Sequence, residues 1–280
     1  MSEHLKLKGP DFIGIGAQRA GTSWLYNCLK EHPEIFMPRK EVHYFDKLHK
    51  THDIDWYLNI FKGPDDKQIS GEITPDYMYH QDTIKEMHSN FPDTKLIIIL
   101  RNPIERSHSA FSLFKSHGRF KNMTFEEALK AEPFLLEQSL YYKQLENVYR
   151  YFAKEQVLIK LYEDISDKPL EFYQSVCEFL QIDQNFKPSS LKTIKNSSAM
   201  SSAQGKFDIP ALQKKMDNSI FRKPFRYFKS TQLANKLKKV LSHKKVSKSL
   251  LTDNKLKETI SRDINNLETL LNTKLERWKK

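Results

Sequence analysis

Between two glycines near its start this chain carries one guanidinium group, and directly after the second glycine it carries two hydroxyls: Gly16-Ala17-Gln18-Arg19-Ala20-Gly21-Thr22-Ser23. The apolar run Phe12-Ile13-Gly14-Ile15 leads in, and residues 24–30 follow with helical spacing. A strand, a glycine turn and a helix N-terminus make an anion cradle, because the first helical amides have no acceptor within the helix and point at whatever lies beyond it. Nucleotide loops of the form Gly-x-x-x-x-Gly-Lys-Ser/Thr add a lysine for the outer phosphates and a hydroxyl for magnesium. Here Thr22 stands in the lysine's place and Arg19 brings its charge inside the loop. Phosphate binding therefore remains attractive, whereas magnesium-assisted cleavage of a terminal phosphate, as in a P-loop kinase, is disfavoured.

The elements that must hold this loop read as an alternation of strands and helices. A strand is expected over 11–16 and a helix over 22–31, stopped at His32-Pro33 because proline disfavours helical geometry in the residue before it. A short extended piece is expected at Val42-His43-Tyr44-Phe45, strands over 68–72 and 156–162, and a helix over 81–88. Leu96-Ile97-Ile98-Ile99-Leu100 is apolar at every position, as in a parallel strand buried on both faces. Pro103 suits the first turn of the next helix, over 104–115, which leaves Arg101 and Asn102 at the carboxyl end of that strand, where open α/β sheets gather ligands. Thr124 is placed to cap the helix that starts at Phe125, one long helix is expected over 134–152, and another over 168–180. Leu256, Ile260, Ile264, Leu267, Leu270, Leu271 and Leu275 recur at helical spacing over 254–278. That pattern reads as a helix packed on the core; its short, imperfect heptad makes a dimerising coiled coil the lesser alternative. The expected fold is α/β: a three-layer sandwich with a central, mostly parallel sheet and a P-loop-like nucleotide site, followed by a mostly helical C-terminal part.

With 280 residues, 39% of them hydrophobic, the chain can bury one substantial core, and residues 1–280 read as a single domain. No run approaches the roughly 18 apolar residues of a membrane span, and the first residues are too polar for a secretory signal, so a cytoplasmic protein is expected. Cys28 and Cys177 fall in separate predicted helices, form no metal motif and read as buried thiols. The formal charge of +11 is unevenly spread: residues 192–248 hold 15 lysines and arginines against Asp208 and Asp217, a local balance of +13 that leaves −2 elsewhere. This basic, partly helical subregion either steers an anionic partner beside the cleft or is a solvated lysine face. Nucleic acid is disfavoured as a partner, since zinc-finger spacing, an RNP-like strand and a clear helix-turn-helix are all missing.

Several segments together resemble the sulfotransferase superfamily, which moves a sulfuryl group from 3′-phosphoadenosine-5′-phosphosulfate (PAPS) to an acceptor and releases adenosine 3′,5′-bisphosphate (PAP). Residues 18–25 are similar to its 5′-phosphosulfate loop, and Leu100-Arg101-Asn102-Pro103-Ile104-Glu105-Arg106-Ser107-His108-Ser109 to its 3′-phosphate motif. Lys40-Glu41-Val42-His43-Tyr44-Phe45-Asp46, Asp55-Trp56-Tyr57 and Glu72-Ile73-Thr74-Pro75-Asp76-Tyr77 resemble, more narrowly, the branch of heparan sulfate N- and 3-O-sulfotransferases and bacterial relatives. The similarity continues through 157–180 and returns in 260–278.

PAPS needs two anion sites, and the resemblance implies both. Gln18, Arg19, Ala20, Gly21, Thr22, Ser23 and Trp24 would form the first. Arg101 and Ser109 would form the second, through a guanidinium contact and a hydroxyl, with Ser198 of the serine-rich stretch as a further phosphate contact. The plain alternative for Arg101 is a salt bridge at a strand end. The resemblance makes Glu41 the base that takes the acceptor proton, with His43 as the alternative base or the neighbour that orients it. Where the family commonly has lysine this chain has Arg19, which stabilises charge on the leaving phosphate but, with a pKa above about 12, is a poor proton donor. Heparan-type relatives also often carry lysine where this chain has Ile73, so one cationic contact is missing or comes from another residue. No metal is required. The implied acceptor is a hydroxyl or amine of a saccharide or small molecule, including anionic ones; Phe45, Trp56, Tyr77 and Tyr79 either rim its pocket or belong to the core. The alternative function is a non-catalytic nucleotide- or nucleic-acid-binding protein on the same fold.

Overall fold

In a computed structural model, the structure describes residues 9–63, 68–193 and 251–279. Ser198, nearly all of the basic subregion 192–248 and the helix fragments expected near 209–216 and 231–241 lie outside the described residues. Five strands, β1 (Phe12–Gly16), β2 (Ile35–Phe36), β3 (Ile69–Ile73), β4 (Lys95–Leu100) and β5 (Val157–Leu161), join in the order β2-β3-β1-β4-β5. Every pair is parallel, and Gly14 of β1 stands between Ile73 of β3 and Ile97 of β4. The result is an α/β sandwich with a central parallel sheet and a helical C-terminal region. Residues 96–100 of β4 are all buried, as an apolar run covered on both faces requires. Because β1 and β4 are neighbours, the segments leaving their carboxyl ends open into one crevice.

From the end of β1 the chain turns into α1 (Thr22–Lys30); from the end of β4 it turns into α4 (Pro103–Ser116). Between them come α2 (Ile54–Ile60) and α3 (Gln81–Asn90), and after them α5 (Phe125–Ala131). Thr124 caps α5 as expected: its Oγ1 accepts from the Glu127 amide at 3.3 Å while Glu127 Oε2 accepts from the Thr124 amide at 2.7 Å. The helix expected over 134–152 is in fact broken into α6 (Phe134–Glu137) and α7 (Tyr141–Tyr149). Arg106, fully buried on α4, is the cause. Its guanidinium donates to the Leu135 carbonyl, to Gln138 Oε1 and to Ser139 Oγ, so the Leu135 oxygen serves α4 and the Ser139 amide turns to Leu136 instead. After β5 come α8 (Tyr162–Asp167) and α9 (Pro169–Leu180).

The C-terminal apolar repeat is a core helix, α10 (Asn254–Leu271), with Ile260, Ile264 and Leu267 buried. It ends at Asn272, whose φ of 48° is left-handed, and a last turn, α11 (Glu276–Lys279), inserts Trp278 into the core. Asp263 of α10 caps α7 by accepting from the amides of Tyr141 at 2.8 Å and Tyr142 at 3.2 Å. Cys28 and Cys177 are free, buried thiols, and burial pushes both upward, Cys177 to about 11. None of the helices among the described residues is long and apolar enough to cross a membrane.

Candidate active site

The cradle forms where β1 hands over to α1. Gly21 is the helix N-cap at φ 87°, with no side-chain cap, which leaves the first amides of α1 for an external acceptor. Only glycine fits there: a Cβ would stand 2.7 Å from Ile165 Cδ1 and 3.0 Å from Tyr162 Cδ2, besides occupying a left-handed conformation. Arg19, itself left-handed at φ 69°, donates from Nε to Ser109 Oγ at 3.1 Å, so the loop residue and the α4 serine meet across 90 positions of sequence. Arg101 completes the group. It donates from one terminal nitrogen to the Arg19 carbonyl at 3.2 Å, pairs with Glu105 at 3.2 Å and lies 4.4 Å from the centre of the Tyr162 ring. The strand-end salt bridge thus exists, yet Arg101 Nε remains buried without a partner among the described residues.

Two guanidinium groups held this closely repel. Burial, and then the charge of Arg101, hold Arg19 below the usual guanidinium value. An anion between them relieves both penalties, so the site suits a ligand with phosphate groups. The strand end that carries Arg101 is also fixed from behind: the Tyr141 hydroxyl donates to the Arg101 carbonyl at 2.9 Å and Glu163 Oε1 accepts from the Asn102 amide at 3.0 Å. Trp24 turns inward, edge-on to Phe172 with ring centres 5.6 Å apart, and serves by packing α1 against α9. Ala20 is buried, while Gln18 lines a small cavity with Pro75, Met78, Tyr79, Gln138 and Gln144.

On the other side of the loop, residues 42–45 form no strand, correcting the extended piece expected there. Glu41 and His43 are left-handed at φ 55° and 56°, a conformation that non-glycine residues hold only when their surroundings impose it. Four successive amides impose it by bonding to the end of β3 and beyond: Glu41 to the Ile73 carbonyl at 3.2 Å, Val42 to Glu72 Oε2 at 3.2 Å, His43 to Thr74 Oγ1 at 3.4 Å and Tyr44 to the Tyr77 hydroxyl at 2.8 Å. Glu72 is the centre of this lattice. Fully buried, it accepts from Val42 N, Thr74 Oγ1 (2.6 Å), Tyr57 (2.8 Å) and Tyr77 (3.0 Å), and burial raises its proton affinity against the pull of those donors. Sequence reasoning had given Glu72 no role; the available signal was an acid inside a strand with Thr74 and Tyr77 close behind.

The lattice presents Glu41 beside a lysine and an imidazole. Its carboxylate lies 3.3 Å from Lys40 Nζ and 3.9 Å from His43 Nε2. The other ring nitrogen of His43 is 2.8 Å from Asp46 Oδ2. Burial pushes Asp46 up, but the His43 bond and the charges of His43 and Lys47 bring it below its ordinary value. His43, Asp46 and Asp76 bring ligand atoms within 4.8 Å of one another, a cluster that Lys47 Nζ already joins at 3.6 Å from Asp46 Oδ2.

A family model, the sulfotransferase domain, matches residues 9–249. The chain belongs to the sulfotransferase family. The family is one of PAPS-dependent enzymes, which release PAP. The mouse heparan sulfate glucosamine 3-O-sulfotransferase 6 is 30% identical over 178 residues, covering 61% of this chain and 52% of that protein. The membrane-associated sulfotransferase kil1 of Dictyostelium discoideum is 24% identical over 278 residues, covering 65% of this chain and 59% of its own. The chain thus spans little more than half the length of these curated relatives. Among solved structures, the sulfotransferase from Alicyclobacillus acidocaldarius superposes with a TM-score of 0.67 at 22% identity, covering 98% of this chain and 100% of that one. The sulfotransferase domain from the curacin biosynthetic pathway gives 0.55 at 16% identity over 96% and 99%. Both likenesses concern the fold. In this chain Phe45 and Tyr77 are core residues, while Trp56 and Tyr79 are partly exposed, Tyr79 donating to Glu137 at 2.8 Å.

Proposed function

We propose that this chain, acting as one domain over 1–280, transfers a sulfuryl group from PAPS to a hydroxyl or amine of a saccharide or small molecule. The observation that carries the proposal is the meeting of Arg19, Arg101 and Ser109 at the ends of β1 and β4, beside the uncapped start of α1. Arg101 and Ser109 serve the 3′ phosphate; the amides of Thr22 and Ser23, with the Arg19 charge, serve the 5′ phosphosulfate. Glu41 takes the proton from the acceptor, and His43, held by Asp46, orients that carboxylate. Heparan-type glucosamine is the acceptor class suggested by the relatives' names, and an anionic saccharide suits the basic subregion.

Calorimetric titration with PAP, ATP and ADP tests the donor site. PAP binding that is lost in Arg101→Ala supports the proposal; a folded wild-type protein that does not bind PAP refutes it. Glu41→Gln is expected to slow transfer by about 10²–10⁴-fold with PAP affinity little changed. Unchanged transfer in that variant removes Glu41 from the role of base.

A further inference from the structure

Building on that function, we propose that Lys40 is the cation that meets the sulfuryl group as it passes from donor to acceptor. Its ammonium lies 2.7 Å from Ser23 Oγ, in the first turn of α1, and 3.3 Å from Glu41 Oε1. One positive charge therefore spans the two ends of an in-line path, from the helix terminus that holds the 5′ group to the carboxylate that receives the proton. Arg19, whose Nε donates to Ser109, stays on the donor side with the 5′ phosphate. The other basic side chains of this segment face elsewhere. Arg39 donates to the Val42 carbonyl at 3.3 Å and lies over the Trp56 ring, while Lys47 lies against His43 and Asp46.

Position 73 brings no charge to this site. Ile73 is 1% exposed and packs onto Gly14 so closely that a Cβ there would stand 2.8 Å from Ile73 Cγ1. Its side chain is turned into the core between β3 and β1, so a cation at the site must come from another part of the chain. Lys40 comes from the loop tied to the end of the same strand, next to the Glu41 amide that bonds to the Ile73 carbonyl.

During transfer the acceptor oxygen or nitrogen forms a bond to sulfur, the bond from sulfur to the 5′-phosphate oxygen breaks, and its electron pair leaves with PAP. The acceptor proton goes to Glu41. The sulfuryl oxygens stay negative throughout, and they approach a carboxylate. Lys40 offsets that repulsion, and its partly exposed side chain and flexible stem let the ammonium stay with the group as it moves.

The test compares PAPS and PAP binding by calorimetry without acceptor in wild type, Lys40→Ala and Lys40→Gln, followed by PAP release from PAPS with heparan sulfate as acceptor. Loss of the Lys40 charge is expected to weaken PAPS by about fivefold or more and PAP by less than about twofold, and to lower kcat by about 10²–10³-fold. Lys40→Arg, which keeps the charge, is expected to restore the preference for PAPS over PAP. Equal weakening of the two nucleotides, or no change in either, overturns the role of Lys40. Wild-type protein that binds neither nucleotide overturns the underlying function instead. If Lys40→Ala does not fold, the longer Lys40→Gln carries the same comparison.

Discussion

Replacing Glu72 with glutamine is the most direct test of how this protein positions Glu41, the proposed base. The side chain keeps its volume, but its amide nitrogen cannot accept. If the remaining oxygen keeps Tyr57 and Tyr77, the Thr74 hydroxyl must reverse and the Val42 N–H faces another donor. An unsatisfied buried N–H costs about 1–3 kcal/mol, and each hydroxyl bond that loses its charged acceptor weakens by about 1 kcal/mol. Release from burying a carboxylate returns part of the loss, leaving an expected net destabilisation of about 2–3 kcal/mol. Val42 lies between Glu41 and His43, so the loop that carries both loses its central anchor. We expect kcat to fall by about tenfold or more while PAP affinity stays within about twofold, because the donor side is built from α1 and the end of β4. Guanidinium unfolding, calorimetry and initial rates measure the three quantities. Tyr57→Phe is the control, since it removes one donor from Glu72 without touching an amide of the loop. If Glu72→Gln is destabilised but turns over at the wild-type rate, the lattice is a core feature and does not hold the base. Unchanged stability refutes the hydrogen-bond reasoning itself.

Two further outcomes are expected away from the reacting groups. Burial pushes Asp263 up from 3.8 to about 6. A carboxyl with a raised folded value binds its proton more tightly in the folded state, so wild-type stability relative to Asp263→Asn is greatest below about pH 4 and falls by about 3 kcal/mol as the pH rises past 6. Denaturant titrations of both proteins at pH 4 and 7 measure this, and a pH-independent gap refutes it. Arg106, whose guanidinium burial pushes down to about 10, makes three hydrogen bonds to the break between α6 and α7. Arg106→Met is expected to cost about 2–4 kcal/mol by removing the donor to the Leu135 carbonyl and to Gln138 Oε1, while Ser139 Oγ keeps its bond to Ser107 Oγ. A change under about 0.5 kcal/mol in thermal or denaturant unfolding shows that the break forms without it.

Sequence alone determined what depends on neighbours along the chain. The strand at Lys95–Leu100 was readable because every residue of its apolar run is buried, the Thr124 cap because both partners lie within one turn, and the glycine cradle because strand, turn and helix are consecutive. PAPS as donor was an expectation from resemblance, carried by two local segments, the loop without its lysine and the arginine at a strand end. Tertiary structure decided everything that joins distant residues. A guanidinium on α4 broke the helix expected over 134–152, although nothing between 134 and 152 marks the interruption. The extended piece expected at 42–45 became a loop with left-handed residues because its amides bond to side-chain oxygens of Glu72, Thr74 and Tyr77 and not to a neighbouring strand. Arg19 met Ser109, and Lys40 met Ser23, only because β1 and β4 are adjacent and the end of β3 holds the loop against α1. Side-chain charges act over a few ångströms of space, and the chain between those partners carries no record of the distance.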